Sequence, residues 1–357
     1  MSEVMSVPKL RFKEFDGDWL KLKYKDVLTI KYGKDHKSLN DGDIPVYGTG
    51  GLMRHVNKYL YDGESILIGR KGTIDKPKYI NEKFWTVDTL FYTEIEESIV
   101  PLFLYQHALE VNWLGLNEAT GVPSLNTTSI YNIDISIPSK EEQTKIAFFL
   151  STVDEKISQL TQKHELLSQY KQGMMQKLFS QQIRFKADDG SEFWEWEELK
   201  FKDVIKIKYG KDHKKLDDGD IPVLGTGGIM RYVDSYLYEG ESILIGRKGT
   251  IDKPRFISGK FWTVDTLFYT EIGEKILPKF AFQQLLLVNW LNLNEATGVP
   301  SLNTTSIGNI ELKVPCLAEQ TKIANVLSAI DQKIEVVAQQ IEQAKQWKKG
   351  LLQQMFV

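Results

Sequence analysis

The chain is a tandem duplication of one domain-sized module, and this repeat constrains the fold more than any other feature. The stretch GESILIGRKGTIDKP begins at Gly63 and returns unchanged at Gly240, an offset of 177 positions. Two further stretches, FWTVDTLFYTEI and NWLGLNEATGVPSLNTTSI, recur at the same offset, the second with a single change. The copies are much longer than the roughly 20–50-residue units of solenoid proteins. The uniform offset predicts two whole domains in tandem, with no insertion or deletion between them.

The identity between the copies is uneven along each module. Residues 139–180 and 316–357 keep a similar apolar pattern but share few residues. Two explanations fit this observation: the first part of each module performs the same task twice, or recombination has homogenised it. The first explanation is our working hypothesis.

Residues 20–138 are predicted to be rich in strands, because short β-branched and aromatic runs alternate with Gly, Pro and Asp-Gly turns. A short helix is predicted over Pro101–Leu114, since proline suits the first turn of a helix. The aromatic side chains Trp85, Phe91 and Tyr92 are assigned to the core rather than to a stacking surface. The clearest predicted strands are Ser65–Ile68, Phe84–Val87, Leu90–Ile95 and Ile133–Ile137.

After Pro138 the periodicity becomes helical. Apolar residues recur at alternating spacings of four and three over more than four heptads, which is typical of a coiled coil. The alternative is two separate amphipathic helices, each lying on its own domain. The seam comprises Ile146, Leu150, Val153, Ile157, Leu160, His164, Leu167, Lys171, Met174 and Leu178 in the first copy, and Ile323, Leu327, Ile330, Ile334, Val337, Ile341, Ala344, Lys348, Leu351 and Met355 in the second.

These patterns predict an α+β fold in four segments. A strand-rich domain over residues 1–138 precedes a spacer helix over 139–180, and a second strand-rich domain over 181–315 precedes a second spacer helix over 316–357. Residues 181–195 are assigned to a linker at the start of the second domain. The two helices are expected to pair and to hold the two domains apart.

Sequence motifs of several enzyme classes are missing. The 357 residues contain no H-E-x-x-H, C-x-x-C, G-x-S-x-G or P-loop motif. The glycines at 48, 50 and 51 are not a dinucleotide fingerprint, because Met53 stands where its last glycine belongs. Cys316 is the single cysteine, which excludes an intrachain disulfide and favours a reducing cytoplasm. No apolar run approaches the roughly 18 residues needed to span a membrane.

Three segments in each copy combine basic, small and amide or hydroxyl residues in loop-like contexts. They lie at residues 31–37, 69–73 and 117–129 and return 177 positions later. Lys and Arg contact phosphates, Arg also reaches guanine, and Asn suits adenine. Asp35 and His36 resemble an acid–base pair, but the flanking lysines favour a phosphate-facing loop. The candidate DNA-binding residues are Lys34, His36, Lys37, Thr49, Gly50, Arg70, Lys71, Thr73, Lys76, Asn117, Thr120, Ser124 and Asn126, with Lys211, His213, Lys214, Thr226, Gly227, Arg247, Lys248, Thr250, Lys253, Asn294, Thr297, Ser301 and Asn303 in the second copy.

The alternatives for each single segment are structural. A Gly-Arg-Lys-Gly turn is common in solvated hairpins, and Ser-Leu-Asn-Thr-Thr-Ser is typical of a turn or a helix cap. The formal net charge of −3 argues neither for nor against nucleic acid, and it predicts weak DNA binding by the isolated chain. Presentation of the same set twice on a stiff spacer favours a two-headed reader, because duplex DNA is itself close to two-fold symmetric.

Two segments, one at the N-terminal start of each module, and the starts of the two long helices resemble the specificity (S) subunit of type I restriction–modification systems. The first segment is PKLRF followed by DGDW, from Pro8 to Trp19, and the second is IRFK followed by Asp-Gly and Trp, from Ile183 to Trp196. The helix starts share the pattern P-x-x-x-E-Q-x-x-I-A, beginning at residues 138 and 315. The Ala-Thr-Gly-Val-Pro-Ser-Leu segment upstream is similar to that family as well. The resemblance covers essentially the whole chain.

The resemblance implies two target-recognition domains separated by helices that pair as an antiparallel coiled coil, in a pseudo-two-fold arrangement. Each domain would read one half of a bipartite target in double-stranded DNA. Two methyltransferase (modification) subunits would use S-adenosylmethionine to methylate adenine, and restriction subunits would add translocation and cleavage with ATP and Mg. The chain itself would hold no cofactor or metal, catalyse nothing and contact no membrane. It would act in the bacterial cytoplasm, at the nucleoid when bound to DNA, in defence against phage.

One departure from the family concerns the two recognition domains, which are usually dissimilar and here nearly identical. We therefore expect a target made of one half-site, a spacer and the reverse complement of that half-site. One alternative is the DNA-recognition subunit of a related system whose partner both methylates and cuts. A self-contained methyltransferase is disfavoured by the missing cofactor loop. A protein-binding coiled-coil scaffold is the third alternative, and salt-dependent DNA binding would exclude it.

Overall fold

The computed structural model describes residues 7–356, and its contacts divide the chain into two compact units. Unit 1 comprises Met1–Thr161 and Gln339–Val357, and unit 2 comprises Gln162–Ala338. The outer ends of the first and last predicted segments, residues 1–6 and 357, lie outside the described residues. Each unit therefore contains one strand-rich head, the first half of the long helix that follows it, and the last half of the other long helix.

The head of unit 1 is built on a six-stranded sheet in the order β2-β7-β5-β6-β3-β4, with a separate two-stranded ribbon of β1 and β8. All neighbouring strands are antiparallel except β3 and β6, which are parallel. The predicted strand-rich character of this region is thus confirmed. The elements are β1 (Leu20–Lys23), α1 (Tyr24–Val27), β2 (Leu28–Tyr32), β3 (Ile44–Gly48), β4 (Gly51–Val56), β5 (Tyr61–Gly69), β6 (Lys78–Thr86), β7 (Leu90–Ile95), α2 (Pro101–Ala108), a 3-10 turn (Trp113–Leu116), α3 (Thr127–Tyr131), β8 (Asp134–Ile137) and α4 (Lys140–Phe179).

The central strand β5 is covered on both faces of the sheet. Ile66 and Ile68 join the main core of the unit, which also contains helix residues such as Phe103 of α2 and Leu150 of α4. Leu67 points to the opposite face and packs in a smaller aromatic cluster. Because successive strand residues point to opposite faces, a run of three large apolar residues is expected where both faces are buried.

Unit 2 repeats the same architecture, with sheet order β10-β15-β13-β14-β11-β12 and a ribbon of β9 and β16. Its main core again includes helix residues from both long helices. The elements are β9 (Glu197–Lys200), α5 (Phe201–Val204), β10 (Ile205–Tyr209), β11 (Ile221–Gly225), β12 (Gly228–Val233), β13 (Tyr238–Gly246), β14 (Arg255–Thr263), β15 (Leu267–Ile272), α6 (Pro278–Leu285), a 3-10 turn (Trp290–Leu293), α7 (Thr304–Gly308), β16 (Glu311–Val314) and α8 (Leu317–Met355).

Both predicted spacer helices are confirmed, as α4 and α8, and every seam position is buried or half-buried. In unit 1 the two helix segments run antiparallel. Lys348 pairs with Asp154 at 2.7 Å. Further along α8, the backbone oxygen of Gln354 accepts a hydrogen bond from the residue before Arg11, and Arg11 binds Glu142 nearer the start of α4. Positions later in α8 therefore lie beside positions earlier in α4, as in an antiparallel pair.

The helix segments of unit 2 are antiparallel for the same reason. Lys171 of α4 pairs with Asp331 of α8 at 2.6 Å. At the end of α4, Phe179 packs against Trp196, whose indole nitrogen donates to Glu319 near the start of α8. Within each unit the helices thus pair with each other, as the heptad seam predicts, and they also close the core of the head.

The arm that precedes each head departs from the uniform offset. Arg11 contacts both carboxylate oxygens of Glu142 at 2.7 Å, and Arg184 contacts those of Glu319 at 3.2 and 2.9 Å. The first pair is separated by 131 positions and the second by 135. The expectation of no insertion or deletion between the copies is therefore wrong for the arms, because the second arm is longer by four residues.

The helix predicted over Pro101–Leu114 is shorter in the structure. It begins at Pro101 as expected but ends at Ala108, and a 3-10 turn follows at Trp113–Leu116. The indole nitrogen of Trp113 donates to the Ala108 oxygen at 2.8 Å, and the Asn112 side chain accepts a hydrogen bond from the backbone of the next turn. These side-chain contacts satisfy the chain outside an α-helix and so end the helix early.

Candidate nucleic-acid interface

Each head carries an open groove, and the residues that line the first groove all recur in the lining of the second, which also includes Lys211, Gly228 and Ile229. The groove of unit 1, called here the head groove, has a volume of about 710 Å³, and that of unit 2 about 780 Å³. Each unit 1 lining residue has an identical counterpart 177 positions later that lines the second groove. The lining of unit 1 consists of Asp35, His36, Lys37, Gly48, Thr49, Gly50, Met53, Val87, Asp88 and Thr89.

The first candidate segment forms one wall of the groove and is fixed by its backbone. The Lys34 amide donates to the Thr86 oxygen at 2.8 Å, and the Trp85 indole donates to the Lys34 oxygen at 2.9 Å. Gly33 permits this approach, because a Cβ there would lie 2.0 Å from the Val87 oxygen. The loop therefore presents His36 to the groove in a set position, and the Nδ1 atom of that imidazole is buried without a hydrogen-bond partner.

The glycine-rich loop is a tight hairpin between β3 and β4. Gly48 pairs with Gly51, which leaves Thr49 and Gly50 as the two residues of the turn. Gly51 has a φ of +117°, a conformation that other residues rarely adopt. Gly50, at the tip of the turn, is exposed, so its backbone is accessible to a partner.

Arg70, from the second segment, borders the groove and is held in place by three contacts. Its guanidinium lies 5.5 Å from the centre of the Tyr32 ring and donates to the Asp88 oxygen at 3.0 Å. Its backbone amide donates to the Thr89 oxygen at 2.8 Å. Arg247 of unit 2 repeats the arrangement, at 5.4 Å from its tyrosine ring. A guanidinium has five N–H donors, so donors remain for a ligand.

The second and third segments lie side by side. The Gly72 amide donates to the Pro123 oxygen at 2.9 Å, and Lys71 and Ser124 form a β-bridge. Gly72 also approaches the hairpin turn, since a Cβ on it would lie 3.5 Å from the Thr49 hydroxyl. The structure thus brings all three candidate segments and the hairpin together on one surface of the head.

Several candidate side chains are engaged within the fold. The Asn117 side-chain oxygen accepts hydrogen bonds from the amides of Ala119 at 3.1 Å and Ser124 at 2.9 Å. The Asn126 side chain caps α3 by accepting from the Ser129 amide at 2.7 Å. Asn294 and Asn303 make the same contacts in unit 2.

Other candidates have exposed side chains outside the groove. Lys76 and Thr120 of unit 1 are exposed and do not line it. Lys34 and Lys71 are exposed beside it and Lys37 is exposed within its lining, where an ammonium group can approach a phosphate.

Sequence reasoning did not single out Met53, Asp88 or Thr89 as groove residues. Met53 lies on a strand and the other two lie in the turn between β6 and β7, so their convergence depends on sheet pairing. Tyr32, the support of Arg70, lies within the first candidate segment but was not among the candidate residues. The available signal was the repeat itself, because all four residues are identical in the second copy.

No group of three or more His, Cys, Asp or Glu side chains within residues 7–356 is arranged to hold a metal ion. None of the helices in the described ranges is long and apolar enough to cross a bilayer.

Comparison with known proteins gives one family. The model of the type I restriction modification DNA specificity domain matches the chain twice, at residues 16–169 and 194–346. A type I restriction enzyme specificity subunit of Methanocaldococcus jannaschii is 27% identical over 345 residues, covering 82% of this chain and 76% of that protein. A specificity subunit assigned to such an enzyme in Haemophilus influenzae is 22% identical, covering 81% of this chain and 80% of its own.

Solved structures share the fold at low sequence identity. The S subunit of a type I restriction–modification system from M. genitalium has a TM-score of 0.72 at 17% identity, with 99% of both chains covered. A chain from a structural study of complex assembly and conformational transition in the type I restriction–modification system has a TM-score of 0.53 at 13% identity. That match covers 94% of this chain and 96% of the other.

Proposed function

The chain belongs to the type I restriction–modification DNA specificity family, and we propose that it reads a two-part target by presenting the same half-site reader twice. Its role within the family is DNA recognition, while catalysis lies in partner subunits of the system. The finer proposal concerns which surface reads DNA and what form the target takes.

The identity of the two head grooves carries this proposal. All ten lining residues of unit 1 recur in unit 2. Some stretches outside the groove have diverged, as in KYINEK of β6 against RFISGK of β14, or PLFLYQHA of α2 against PKFAFQQL of α6, while others, such as GESILIGRKGTIDKP, are identical in both copies. Identity at each of these ten positions, while other parts of the heads have diverged, supports a surface that does the same job in both heads.

The proposed contacts follow from side-chain chemistry. Lys37 and Lys71 would contact phosphates beside the groove, and this contribution would weaken as salt rises. Arg70 would reach the O6 and N7 atoms of guanine, since its planar guanidinium suits a bidentate contact. Thr49 and the amide of Gly50, at the hairpin tip, would fix the register on the duplex.

The proposed partners are double-stranded DNA, two modification subunits that use S-adenosylmethionine, and restriction subunits that use ATP and Mg. Its membership of a specificity family supports a chain that holds none of these cofactors. We place this recognition step in the cytoplasm, at the nucleoid, because the DNA to be marked lies there.

The target is proposed to be one half-site, a spacer and the reverse complement of that half-site. Mapping of methylated adenines across the genome of a host that expresses the complete system tests this form directly. Two related half-sites in inverted orientation are expected. Two unrelated half-sites, or one half-site repeated in the same direction, would contradict the proposal.

Arg70→Ala combined with Arg247→Ala is expected to weaken target binding by the assembled complex while assembly is retained. Loss of one good bidentate contact is worth about 1–3 kcal/mol of discrimination, so the loss per half-site should be roughly tenfold. Competition binding with target and non-target duplexes measures it.

Arg70→Lys with Arg247→Lys keeps both positive charges but not the planar guanidinium, so it should lose discrimination between duplexes more than salt-dependent affinity. Lys163→Ala, on an exposed position of α4, is the control. Unchanged discrimination in both arginine variants would remove these residues from the reading surface.

A further inference from the structure

Strand β4 of unit 1 and its counterpart β12 of unit 2 each contain a β-bulge, and the two bulges lie at equivalent residues. In unit 1 the register runs Gly48↔Gly51 and Tyr47↔Leu52 and then jumps to Val46↔Arg54, so Met53 is unpaired. In unit 2 the jump occurs at Met230. A bulge on an edge strand re-aims the side chain of its extra residue. β4 and β12 are the edge strands of their sheets.

The bulge leaves a large apolar side chain in the open. Met53 is 56% exposed and Met230 is 59% exposed, and both line their head grooves. Neighbouring positions on the same hairpin have drifted between copies, from Tyr47 to Leu224 for example, but the methionine has not. Within this hairpin the methionine is thus the large, exposed apolar side chain that both heads share.

Gly48 gives the methionine its place across the hairpin. A Cβ on Gly48 would lie 2.8 Å from the Met53 sulfur, and a Cβ on Gly225 would lie 2.9 Å from the Met230 sulfur. The thioether therefore rests directly over the opposite strand of the hairpin. This position directs it into the groove.

The surroundings favour DNA as the occupant. Exposed Lys37 lines the groove, exposed Lys71 lies beside it, and Arg70 borders it. A two-stranded ribbon fits the major groove of B-DNA, where thymine presents its C5 methyl group to apolar side chains. Methionine is flexible and polarisable, which suits contact with a small apolar group.

We propose that Met53 and Met230 each contact a thymine methyl group in the major groove of one half-site, with the bulged hairpin as the inserted ribbon. This inference rests on the proposed function, since it requires the head groove to face DNA. It adds a named specificity residue and a named base feature to the polar contacts described above.

Replacement of thymine by deoxyuridine tests the proposal, because it removes only the methyl group. The assembled complex is measured on target duplexes in which each half-site thymine is replaced in turn. Wild-type complex is expected to lose about fourfold in affinity at one thymine per half-site, the equivalent of ~0.8 kcal/mol for one buried carbon. Met53→Ala with Met230→Ala should bind the thymine target equally weakly and should be insensitive to uracil at that position.

Matched variants separate the possible outcomes. Met53→Leu with Met230→Leu keeps an apolar side chain and should keep the uracil sensitivity. Indifference of the wild-type complex to uracil at every position, or a half-site without thymine, would overturn the inference. Sensitivity retained in the Met-to-Ala variant would also overturn it. Weaker assembly of that variant, with uracil sensitivity intact in the complexes that do form, would overturn the inference and assign the methionine to contact with a protein partner. Absence of DNA binding by the wild-type complex would instead refute the proposed function itself.

Discussion

Single side chains anchor each head to the start of its long helix. The Glu142 carboxylate is buried, with its side chain 1% exposed. The Arg11 guanidinium donates a hydrogen bond to each of its two oxygens. This hydrogen bond and the charge of Glu142 raise the pKa of Arg11. The next residue, Gln143, accepts from the Val100 amide at 2.8 Å and donates to the Pro138 oxygen at 3.1 Å. The Glu-Gln pair of the helix-start pattern is therefore explained by docking within the unit.

A buried histidine distinguishes unit 1 from unit 2. The Nδ1 atom of His107 and the Tyr24 hydroxyl share a hydrogen bond of 2.9 Å, and the imidazole ring packs against Phe356. The corresponding residues of unit 2 are Gln284 and Phe201, which cannot form this pair. Burial lowers the pKa of His107 to about 4, because the charged imidazolium loses its hydration.

Acidification is expected to destabilise unit 1 through His107. Between pH 6.5 and 4 the unfolded histidine binds a proton that the folded one does not, so stability is full above pH 6.5 and falls as pH drops towards 4. The loss should reach about 3 kcal/mol. Hydrogen exchange of the α2 amides across this range measures it, with the α6 amides as internal reference.

His107→Gln copies the residue of the second head and is the matched control for this effect. It should flatten the pH dependence of α2 exchange between pH 4 and 6.5 relative to wild type. An unchanged pH profile in this variant would show that another group carries the acid sensitivity.

Among the elements, strands were easier to foresee than connections. Leu90–Ile95 was predicted with the bounds that it has as β7. Each of the other predicted strands overlaps an observed strand. The loops were recognised by composition, but their meeting on one surface was not, because Gly72, Thr49 and Pro123 are brought together by sheet pairing and not by proximity in the chain.

The loop at residues 34–37 depends on a glycine that precedes it. A side chain on Gly33 would collide with the backbone oxygens of Val87 and Thr86. Gly33→Ala with Gly210→Ala is therefore expected to displace the loop and to lower target affinity at least tenfold, or about 1.4 kcal/mol, while the sheets stay folded. Binding titration, with circular dichroism for the fold, measures both quantities.

Gly17→Ala serves as the control for this substitution, since a Cβ at that position meets no atom within 4 Å. Its affinity should equal that of the wild-type complex. Full affinity in the Gly33 and Gly210 variant would show that the loop does not position DNA contacts.

At the scale of the whole molecule, each unit is completed by the tail of a helix that belongs, in chain order, to the other half. Leu351, Leu352 and Met355 of α8 lie in the main core of unit 1. Met175 and Leu178 of α4 hold the same places in unit 2. A boundary drawn along the chain therefore separates residues that share one core.

Leu352→Ala is expected to destabilise unit 1 by about 2–5 kcal/mol, because it removes buried apolar volume and leaves a cavity. The α8 tail lies far along the chain from the first head, so hydrogen exchange should rise in β5 and not in β13. Gln353→Ala, at the adjacent exposed position, should leave both strands unchanged. Equal loosening of β5 and β13 would contradict the division into units.

The sequence by itself determined that two like modules exist, that each is strand-rich, that each ends in a long seam-bearing helix, and which family they resemble. These properties are periodic or local, so they can be read from spacing and identity alone. The tertiary structure decided that three distant loops form one groove, that Met53 turns into it, and that helix tails close the cores. Such features depend on strand register and on contacts between residues far apart in the chain, because the same local patterns are compatible with many packings.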